Sequence, residues 1–260
     1  MIADLRAVLC DADGNLFPSE EPAFVASADV TNDYLEALGV AARWTAEELR
    51  LATTGKNFRT TAVDLAVAHG VAVEGSLVGA RTGAVVSGTP VLSAAVLEHW
   101  VEQERLRVTE HLGHELLPDP AVVEPLTRLG ARYVLAGVSS SATPRLTVCL
   151  RATGLDGLIP AERLFSAEDS LPVPTSKPDP AVYLHACREL GIDPAQAVAV
   201  EDSVPGAQSA VAAGIATIGN LQFVQPGERD QRDKELRDTG VVAVVTSWSE
   251  VELLVRESAS

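Results

Sequence analysis

The chain has 260 residues, of which 47% are hydrophobic and 22% charged, and its formal net charge is -16 at pH 7. This length suits one large domain or two modest ones with a proper core, and the composition is ordinary for a soluble globular protein. The strong negative charge argues against nucleic acid or an anionic membrane as partner, because both bind basic patches.

The three cysteines, Cys10, Cys149 and Cys187, lie far apart in apolar settings. They lack metal-ligand spacing and cannot all pair, so we expect buried free thiols in a reducing compartment. Asp4 and Arg6 precede the first predicted strand, and this start does not resemble a secretory signal. No apolar stretch approaches the roughly 20 residues of a membrane span. We therefore expect a cytoplasmic protein.

The first predicted strand, Ala7-Val8-Leu9-Cys10, runs directly into Asp11-Ala12-Asp13-Gly14-Asn15. Because side chains alternate along a strand, the two carboxylates leave its end on the same side, and Gly14 allows a sharp turn. One carboxylate could attack, its neighbour could move protons, and both could help to hold a hard cation. Taken alone, the pattern is more often a simple turn or a fragment of a calcium-binding loop.

From about Pro18 to about Gly113 the sequence has helical periodicity and almost no β-rich run. Thr45 and Glu48 have the spacing of a capping box, and Gly75-Thr89 is the least predictable part. The predicted helices are Val25-Leu38, Ala46-Thr53, Arg59-His69 and Val91-Leu112. We predict a helical insertion between the first strand and the rest of the sheet.

In most of the C-terminal half, short β-like runs alternate with amphipathic helical stretches. The predicted strands are Tyr133-Val138, Ala197-Val200, Ala216-Ile218 and Val241-Val245. The predicted helices include Pro144-Ala152, Pro180-Leu190 and Gly206-Ala213. Strand and helix in alternation predict a parallel sheet covered on both faces. The charged segment Gly227-Gly240 is expected to be a solvated loop and helix face.

Polar residues stand where ligands bind in an open parallel sheet, at the carboxyl ends of the strands. After Asp11 and Asp13 come Ser139-Ser140-Ser141, then Ser176-Lys177-Pro178-Asp179-Pro180, then Glu201-Asp202-Ser203. Taken singly, each of these later segments has a simpler explanation: a helix N-cap for the serines, an exposed side chain for the lysine, and an acidic loop for the last pair. Their joint order and placement favour one shared site.

In these segments the chain resembles the haloacid dehalogenase-like superfamily, chiefly phosphatases and phosphomutases. The matching segments are Asp11-Ala12-Asp13-Gly14, Ser139, Ser176-Lys177-Pro178-Asp179-Pro180 and Val200-Glu201-Asp202-Ser203-Val204-Pro205-Gly206. The last two are similar to the subgroup of phosphoglycolate phosphatase and β-phosphoglucomutase. The resemblance implies an α/β fold: a Rossmann-like parallel sheet core in residues 1–17 and 113–260, with an inserted α-helical cap domain in 18–112. The cap would be mobile and close over the catalytic pair.

The resemblance also implies how the ester would be cleaved. Asp11 would be the nucleophile that forms an aspartyl-phosphate, and Asp13 would be the general acid for the leaving oxygen and then the base for water. Ser139 and the backbone N–H groups after it, beginning at Ser140, would hold phosphoryl oxygens. Lys177 would lie between Asp11 and the phosphoryl group as a compact point charge.

A metal site is implied as well. Asp202, Asp11 and the carbonyl oxygen of Asp13 would hold Mg²⁺, and Glu201 would be a ligand directly or through water. Together with Lys177, the metal would let a chain of net charge -16 bind an anion.

Two residues of the first motif refine this reading. Dehalogenases and phosphonate-cleaving members resemble the pattern at Asp11 but not at the second carboxylate, so Asp13 favours phosphate ester chemistry. Asn15 departs from the family, which usually has Thr there. We expect altered hydrogen bonding around Asp13 rather than loss of activity.

The predicted cap holds the candidates for substrate contacts. Lys56 and Arg59, in Gly55-Lys56-Asn57-Phe58-Arg59, could bind a second anionic group of the substrate, or they could be surface charges at a helix start. The histidines show no ligand spacing and are expected at the surface or the edge of the core. They are His69, His99, His111, His114 and His185.

The sequence therefore predicts a Mg²⁺-dependent phosphatase that acts on a small phosphorylated metabolite, such as a phosphosugar. Mutases of this subgroup commonly have a His just after the first motif, and Phe17-Phe24 contains none, which favours water as the acceptor. A phosphosugar mutase, or a catalytically silent protein that binds a phosphometabolite, remains the alternative.

Overall fold

A computed structural model describes residues 4–53, 57–78 and 91–258. These residues fall into two compact units, one within Met1–Ser19 and Leu116–Ser260 and the other within Glu20–Glu115. Within the described residues, no helix is both long enough and apolar enough to cross a membrane. Cys10, Cys149 and Cys187 are buried free thiols, which confirms that part of the prediction.

The secondary structure alternates between strand and helix in the first unit and is mostly helical in the second. The strands are β1 (Ala7–Cys10), β2 (Ala72–Val73), β3 (Val91–Leu92), β4 (Val134–Ser139), β5 (Leu164–Ser166), β6 (Ala197–Glu201), β7 (Ala216–Asn220) and β8 (Ala243–Val245). The helices are α1 (Glu20–Ala37), α2 (Ala46–Thr53), α3 (Phe58–Ala68), α4 (Gly75–Val78), α5 (Ala94–Glu115), α6 (Pro120–Gly130), α7 (Thr143–Ala152), α8 (Ala181–Leu190), α9 (Val204–Ala212), α10 (Arg229–Asp238) and α11 (Trp248–Ser258).

The first unit is built on a six-stranded parallel sheet in the order β5-β4-β1-β6-β7-β8, which confirms the predicted α/β fold. Strand β1 lies in the middle, and its last residue, Cys10, pairs with Gly137 of β4 and Val200 of β6. Because the pairing is parallel and in step, the residues that follow these strands emerge at one edge of the sheet. That edge carries the candidate site.

Helices cover both faces of this sheet. Leu9, Val138 and Ala199 share one core with residues of α8 and α9, and residues of opposite parity such as Val8 and Val198 are equally buried. Burial on both faces explains why these strands read as continuous apolar runs rather than as alternating patterns. Helices α6 and α11 pack on each other and also contact strands β4, β7 and β8.

The second unit packs α1 against α2 and α5, and α3 against α5. It also contains a short parallel pairing of β2 with β3, where the sequence predicted a helix from Val91. The helix starts three residues later because Ser93 caps it: its Oγ accepts the N–H of Val96 at 3.3 Å. The capping box at Thr45 and Glu48 is confirmed by reciprocal bonds of 3.2 and 2.9 Å.

Other elements differ from their predicted bounds in ways that matter for the site. Strands β6 and β7 run on to Glu201 and Asn220, so the polar residues at their ends are held by the sheet itself. Helix α9 starts at Val204 because the Ser203 hydroxyl accepts the N–H of Gly206. The charged segment forms α10 and buries Leu236. Strand β5 and helices α6 and α11 were not predicted.

Candidate active site

The Lys177 ammonium joins the ends of three strands. Its Nζ donates to Oδ1 of Asp11 at 2.5 Å, to Oε1 of Glu201 at 2.6 Å and to the carbonyl of Val138 at 2.9 Å. The side chain is only 6% exposed, so these three acceptors use the three donors of the ammonium away from water. Ser140 fixes the backbone at this point, because its Oγ accepts the N–H of Lys177.

Lys177 stays protonated in this environment. Burial alone would lower the pKa of its ammonium, but the charges of Asp11 and Glu201 raise that pKa above the usual value. Burial also raises the pKa of the Asp11 carboxyl and of the Glu201 carboxyl, and Lys177 partly opposes both shifts. Two buried carboxyls share a single ammonium, and the charge of Glu201 contributes to the rise in the pKa of Asp11.

Glu201 is positioned by Tyr183 and Gly206 as well as by Lys177. Tyr183, fully buried on α8, donates its hydroxyl proton to Oε1 of Glu201 at 2.5 Å. The ring of Tyr183 also lies 5.3 Å from Nζ of Lys177, within the range of a cation–π contact. Gly206 leaves room for the carboxylate, since a Cβ there would lie 1.9 Å from Oε2.

A third carboxylate completes an acidic cluster. Ligand atoms of Asp11, Glu201 and Asp202 lie within 4.8 Å of one another, and all three residues are buried. Gly14 closes the turn after β1 at a φ of +75°, and a Cβ there would lie 2.5 Å from Oδ2 of Asp202. Both the backbone conformation and the contact therefore call for glycine at this position. Carboxylate clusters of this kind suit hard divalent cations.

Asp13 is held apart from this cluster by three donors. Its Oδ1 accepts from Ser19 Oγ at 2.6 Å and from Arg145 Nη2 at 2.8 Å, and its Oδ2 accepts from Ser141 Oγ at 2.7 Å. Burial alone would raise the pKa of the Asp13 carboxyl, but Arg145 and the two hydroxyls hold it below the ordinary value. Asp13 is therefore ionised at neutral pH.

The predicted serines shape the loop between β4 and α7. Ser139 is 2% exposed, and its Oγ accepts the N–H of Ser141 at 3.0 Å. The carbonyl of Ser141 in turn accepts from the hydroxyl of Ser166 on β5. The loop thus enters α7 with its backbone tied to two neighbouring strands.

Of the two substrate contacts that the sequence predicted in the helical insertion, the structure describes only Arg59. Arg59 forms a two-pronged ion pair with Glu98 within the second unit, and the Nη2 to Oε2 distance is 2.7 Å. Lys56 lies outside the described residues.

Sequence reasoning missed Arg145 and Tyr183. Arg145 had a usable signal, since it lies in the first turn of α7, where a cation opposes the helix dipole unless a nearby anion binds it. Tyr183 had none, because a lone aromatic on the apolar face of a helix is typical of an ordinary core residue.

The chain is similar in sequence to known hydrolases. A family model described as haloacid dehalogenase-like hydrolase matches residues 5–214. The chain is 30% identical over 231 residues to the protein CbbY of Cereibacter sphaeroides, covering 86% of this chain and 85% of that protein. It is 31% identical over 150 residues to phosphoglycolate phosphatase of Thiobacillus denitrificans, covering 57% of this chain and 61% of that enzyme, less than two thirds of its length.

A solved structure shares the fold over nearly the whole length. It is a predicted phosphoglycolate phosphatase from Haemophilus somnus, with a TM-score of 0.70 and 20% identity, covering 97% of this chain and 98% of that one. At 20% identity, this similarity supports the shared fold alone.

Proposed function

The chain belongs to the haloacid dehalogenase-like hydrolase family, and from that premise we propose that it is a Mg²⁺-dependent phosphatase. Its substrate would be a small phosphate monoester, a phosphosugar or related metabolite, cleaved through an aspartyl-phosphate. One observation carries the proposal: Asp11, Lys177 and Asp202 converge at the carboxyl edge of the sheet, beside an Asp13 that is separately held. The second unit would be the cap domain that the resemblance implies.

Asp11 is the proposed nucleophile. A carboxylate oxygen of Asp11 attacks phosphorus, the new O–P bond forms, and the ester P–O bond breaks. Lys177 orients this carboxylate through its bond to Oδ1 and offsets the repulsion between two anions. Phosphoryl transfer depends mostly on such positioning and charge neutralisation, which a buried ammonium provides.

Asp13 is the proposed acid and base. In the first half of the reaction it gives a proton to the leaving oxygen, and in the second half it takes a proton from the water that attacks phosphorus and releases Asp11. The ionised form held by Arg145 suits the second half. A bound phosphate monoester brings negative charge close to Asp13, which raises the proton affinity of its carboxylate for the first half.

The residues present fit a hard divalent cation. Asp11 and Asp202 offer buried carboxylate oxygens, the turn at Gly14 brings Asp202 against the backbone, and the carbonyl of Asp13 would be a third ligand. Glu201 already accepts from Lys177 and Tyr183, so its main role would be to hold Lys177. A bound Mg²⁺ would neutralise charge on the phosphoryl oxygens.

Ser139 and Ser140 complete the proposed phosphate site. Ser139 accepts a backbone N–H, so its own hydroxyl proton is available for a phosphoryl oxygen. Ser140 fixes Lys177 at the backbone, and the N–H groups that follow lead into the N-terminus of α7, where anions bind favourably.

The test is phosphate release from 4-nitrophenyl phosphate and from a panel of phosphosugars, with and without added Mg²⁺. We expect turnover that requires Mg²⁺ and is abolished in Asp11→Asn, while Asp156→Asn, a matched change at an exposed position, leaves it intact. Undiminished turnover in folded Asp11→Asn would overturn the mechanism. Interconversion of sugar monophosphates without phosphate release, in the presence of a bisphosphate primer, would identify a mutase instead.

A further inference from the structure

Asn15 departs from the resembled family, and its side chain bridges two strand ends. Its Nδ2 donates to the carbonyl of Asp11 at 3.1 Å and to the carbonyl of Val200 at 3.0 Å. Both protons of the amide are therefore used, one on the segment after β1 and one on β6. Asn15 is fully buried, so water does not compete with its amide for these two carbonyls.

A second buried amide fixes the orientation of the first. Nδ2 of Asn220, at the end of β7, donates to Oδ1 of Asn15 at 2.9 Å. Turning the Asn220 amide over would break a second hydrogen bond, because its Oδ1 accepts the backbone N–H of Gln222 at 3.1 Å. The order Gln222, Asn220, Asn15 therefore runs from a backbone donor to backbone acceptors, and each amide has one favourable orientation.

We propose that Asn15, oriented by Asn220, is a positioning residue that sets the separation of Asp11 from Glu201 and Asp202 and so adapts the cation site to Mg²⁺. This inference rests on the proposed function, since it assumes that the carboxylates of Asp11 and Asp202 hold the metal. One clamped carbonyl belongs to Asp11 itself, and the other immediately precedes Glu201. A change in their spacing must move the carboxylates.

The number of donors explains why Asn matters here. A Thr hydroxyl, the usual group at this position in the resembled family, has one proton and can serve only one of the two carbonyls. Asn15 serves both, but its own oxygen then needs a hydrogen-bond donor in a fully buried place, and Nδ2 of Asn220 supplies it. The two asparagines therefore form one device although they lie far apart in the sequence.

The effect of Asn15 and Asn220 should be measurable as selectivity of the site for Mg²⁺ over Ca²⁺. Mg²⁺ demands near-ideal octahedral geometry with short bonds, whereas Ca²⁺ accepts irregular arrangements with longer bonds. Loosening the spacing of Asp11 and Asp202 should therefore weaken Mg²⁺ binding much more than Ca²⁺ binding. A general loss of folded protein would lower both affinities by the same factor.

The experiment measures binding of Mg²⁺ and of Ca²⁺ by calorimetry in wild type, Asn15→Thr, Asn220→Ala and the double variant, without substrate. Thr217→Val is the matched control, because it removes a buried hydroxyl bond to the Ile215 carbonyl from the same strand as Asn220. Circular dichroism confirms equal folded fractions.

We expect Asn15→Thr to weaken Mg²⁺ binding about tenfold, the lower end of the usual effect of residues that orient metal ligands, and Ca²⁺ binding by much less. Asn220→Ala should change the ratio in the same direction, and the double variant should match Asn15→Thr because Asn220 acts through Asn15. Thr217→Val should leave the ratio unchanged. An unchanged ratio in Asn15→Thr or Asn220→Ala, with wild type binding Mg²⁺, would overturn the inference alone. Absence of Mg²⁺ binding in wild type would overturn the proposed function with it.

Discussion

Nη2 of Arg145 lies 2.8 Å from Oδ1 of Asp13, so the proposed acid and base carries its own counter-ion within the same unit. Arg145 is the third residue of α7, and Asp13 follows the central strand β1. The pair therefore ties the start of a helix to the turn after the first strand.

Arg145→Met should impair substrates that need proton donation. Without the guanidinium, the Asp13 carboxyl is oriented only by Ser19 and Ser141, and general acid catalysis is sensitive to such geometry. We expect kcat/KM for an alkyl phosphate to fall about a hundredfold, within the usual worth of a general acid, and kcat/KM for 4-nitrophenyl phosphate to fall far less because its leaving group needs no proton. Arg128→Met, which removes an ion pair with Glu252 instead, is the control. Equal losses on both substrates would show that Arg145 does not act through Asp13.

The same variant should change how stability depends on pH. The pKa of Asp13 is lowered from 3.8 in the folded state, so the pair stabilises the fold above that pH and its contribution is lost as the pH falls through the folded pKa. Urea unfolding should therefore find Arg145→Met less stable than wild type at pH 7, with the difference shrinking towards pH 2. A difference that is constant between these two pH values would contradict the assigned ion pair.

Tyr183→Phe should weaken the support of Lys177 without emptying the core. The variant keeps the ring beside Nζ of Lys177 and removes only the hydroxyl that donates to Glu201. Because the lost bond goes to a charged acceptor, we expect the free energy of unfolding to fall by about 1.5–3 kcal/mol, together with a lower kcat. Tyr34→Phe is the matched control: it removes a buried hydroxyl bond of 2.8 Å to the Ala62 carbonyl in the second unit. The hydroxyl of Tyr183 has no functional role if both variants retain full kcat.

The local pattern of the chain was sufficient for the parallel sheet and for the carboxylates at its edge. Strand β1 is apolar to its last residue, so the position of Asp11 at the strand end could be predicted from the sequence alone. Lys177 was expected beside Asp11, and the structure brings their charged atoms together from positions 166 residues apart. That expectation came from the resemblance, because spacing along the chain cannot specify such a contact.

What the sequence could not provide depends on strand register and on partners distant in the chain. The role of Asn15 could not be predicted, because the side chain that donates a hydrogen bond to its Oδ1 belongs to Asn220, 205 residues later. The β2 and β3 pairing is two residues long in each strand, too short for a periodic signal. The hydrogen bonds of Glu201 with Lys177 and Tyr183 could not be predicted, because they depend on how β6 and α8 pack together.

The cysteines should be unreactive in the native protein. Burial raises the pKa of the Cys149 thiol to about 12 and that of Cys187 to about 11, and Cys10 is shifted upward as well. Only the thiolate reacts with disulfide reagents, so at pH 8 we expect no titratable thiol in folded protein and three after denaturation. Rapid labelling of the folded chain would show that one of these sites opens to solvent.

The thiols also predict alkaline sensitivity. Because the pKa values of these thiols in the folded state lie above the ordinary value of 9.0, unfolding releases protons above that pH, and stability is lost as the pH rises towards the folded values. The melting temperature should therefore fall as the pH rises above 9. Cys149→Ala should make this fall less steep, after allowance for its lower starting stability.

Gly14→Ala should damage the cation site beyond its cost in backbone strain. The φ of +75° disfavours any side chain, and the new Cβ would in addition lie 2.5 Å from Oδ2 of Asp202, forcing that carboxylate to move. Gly191→Ala separates the two effects, because Gly191 has a φ of +65° and no atom within 4 Å of the added Cβ. We expect both variants to lose about 1 kcal/mol or more of stability from the left-handed conformation. Only Gly14→Ala should bind Mg²⁺ more weakly by calorimetry, and equal Mg²⁺ affinity in the two variants would remove Asp202 from the proposed ligands.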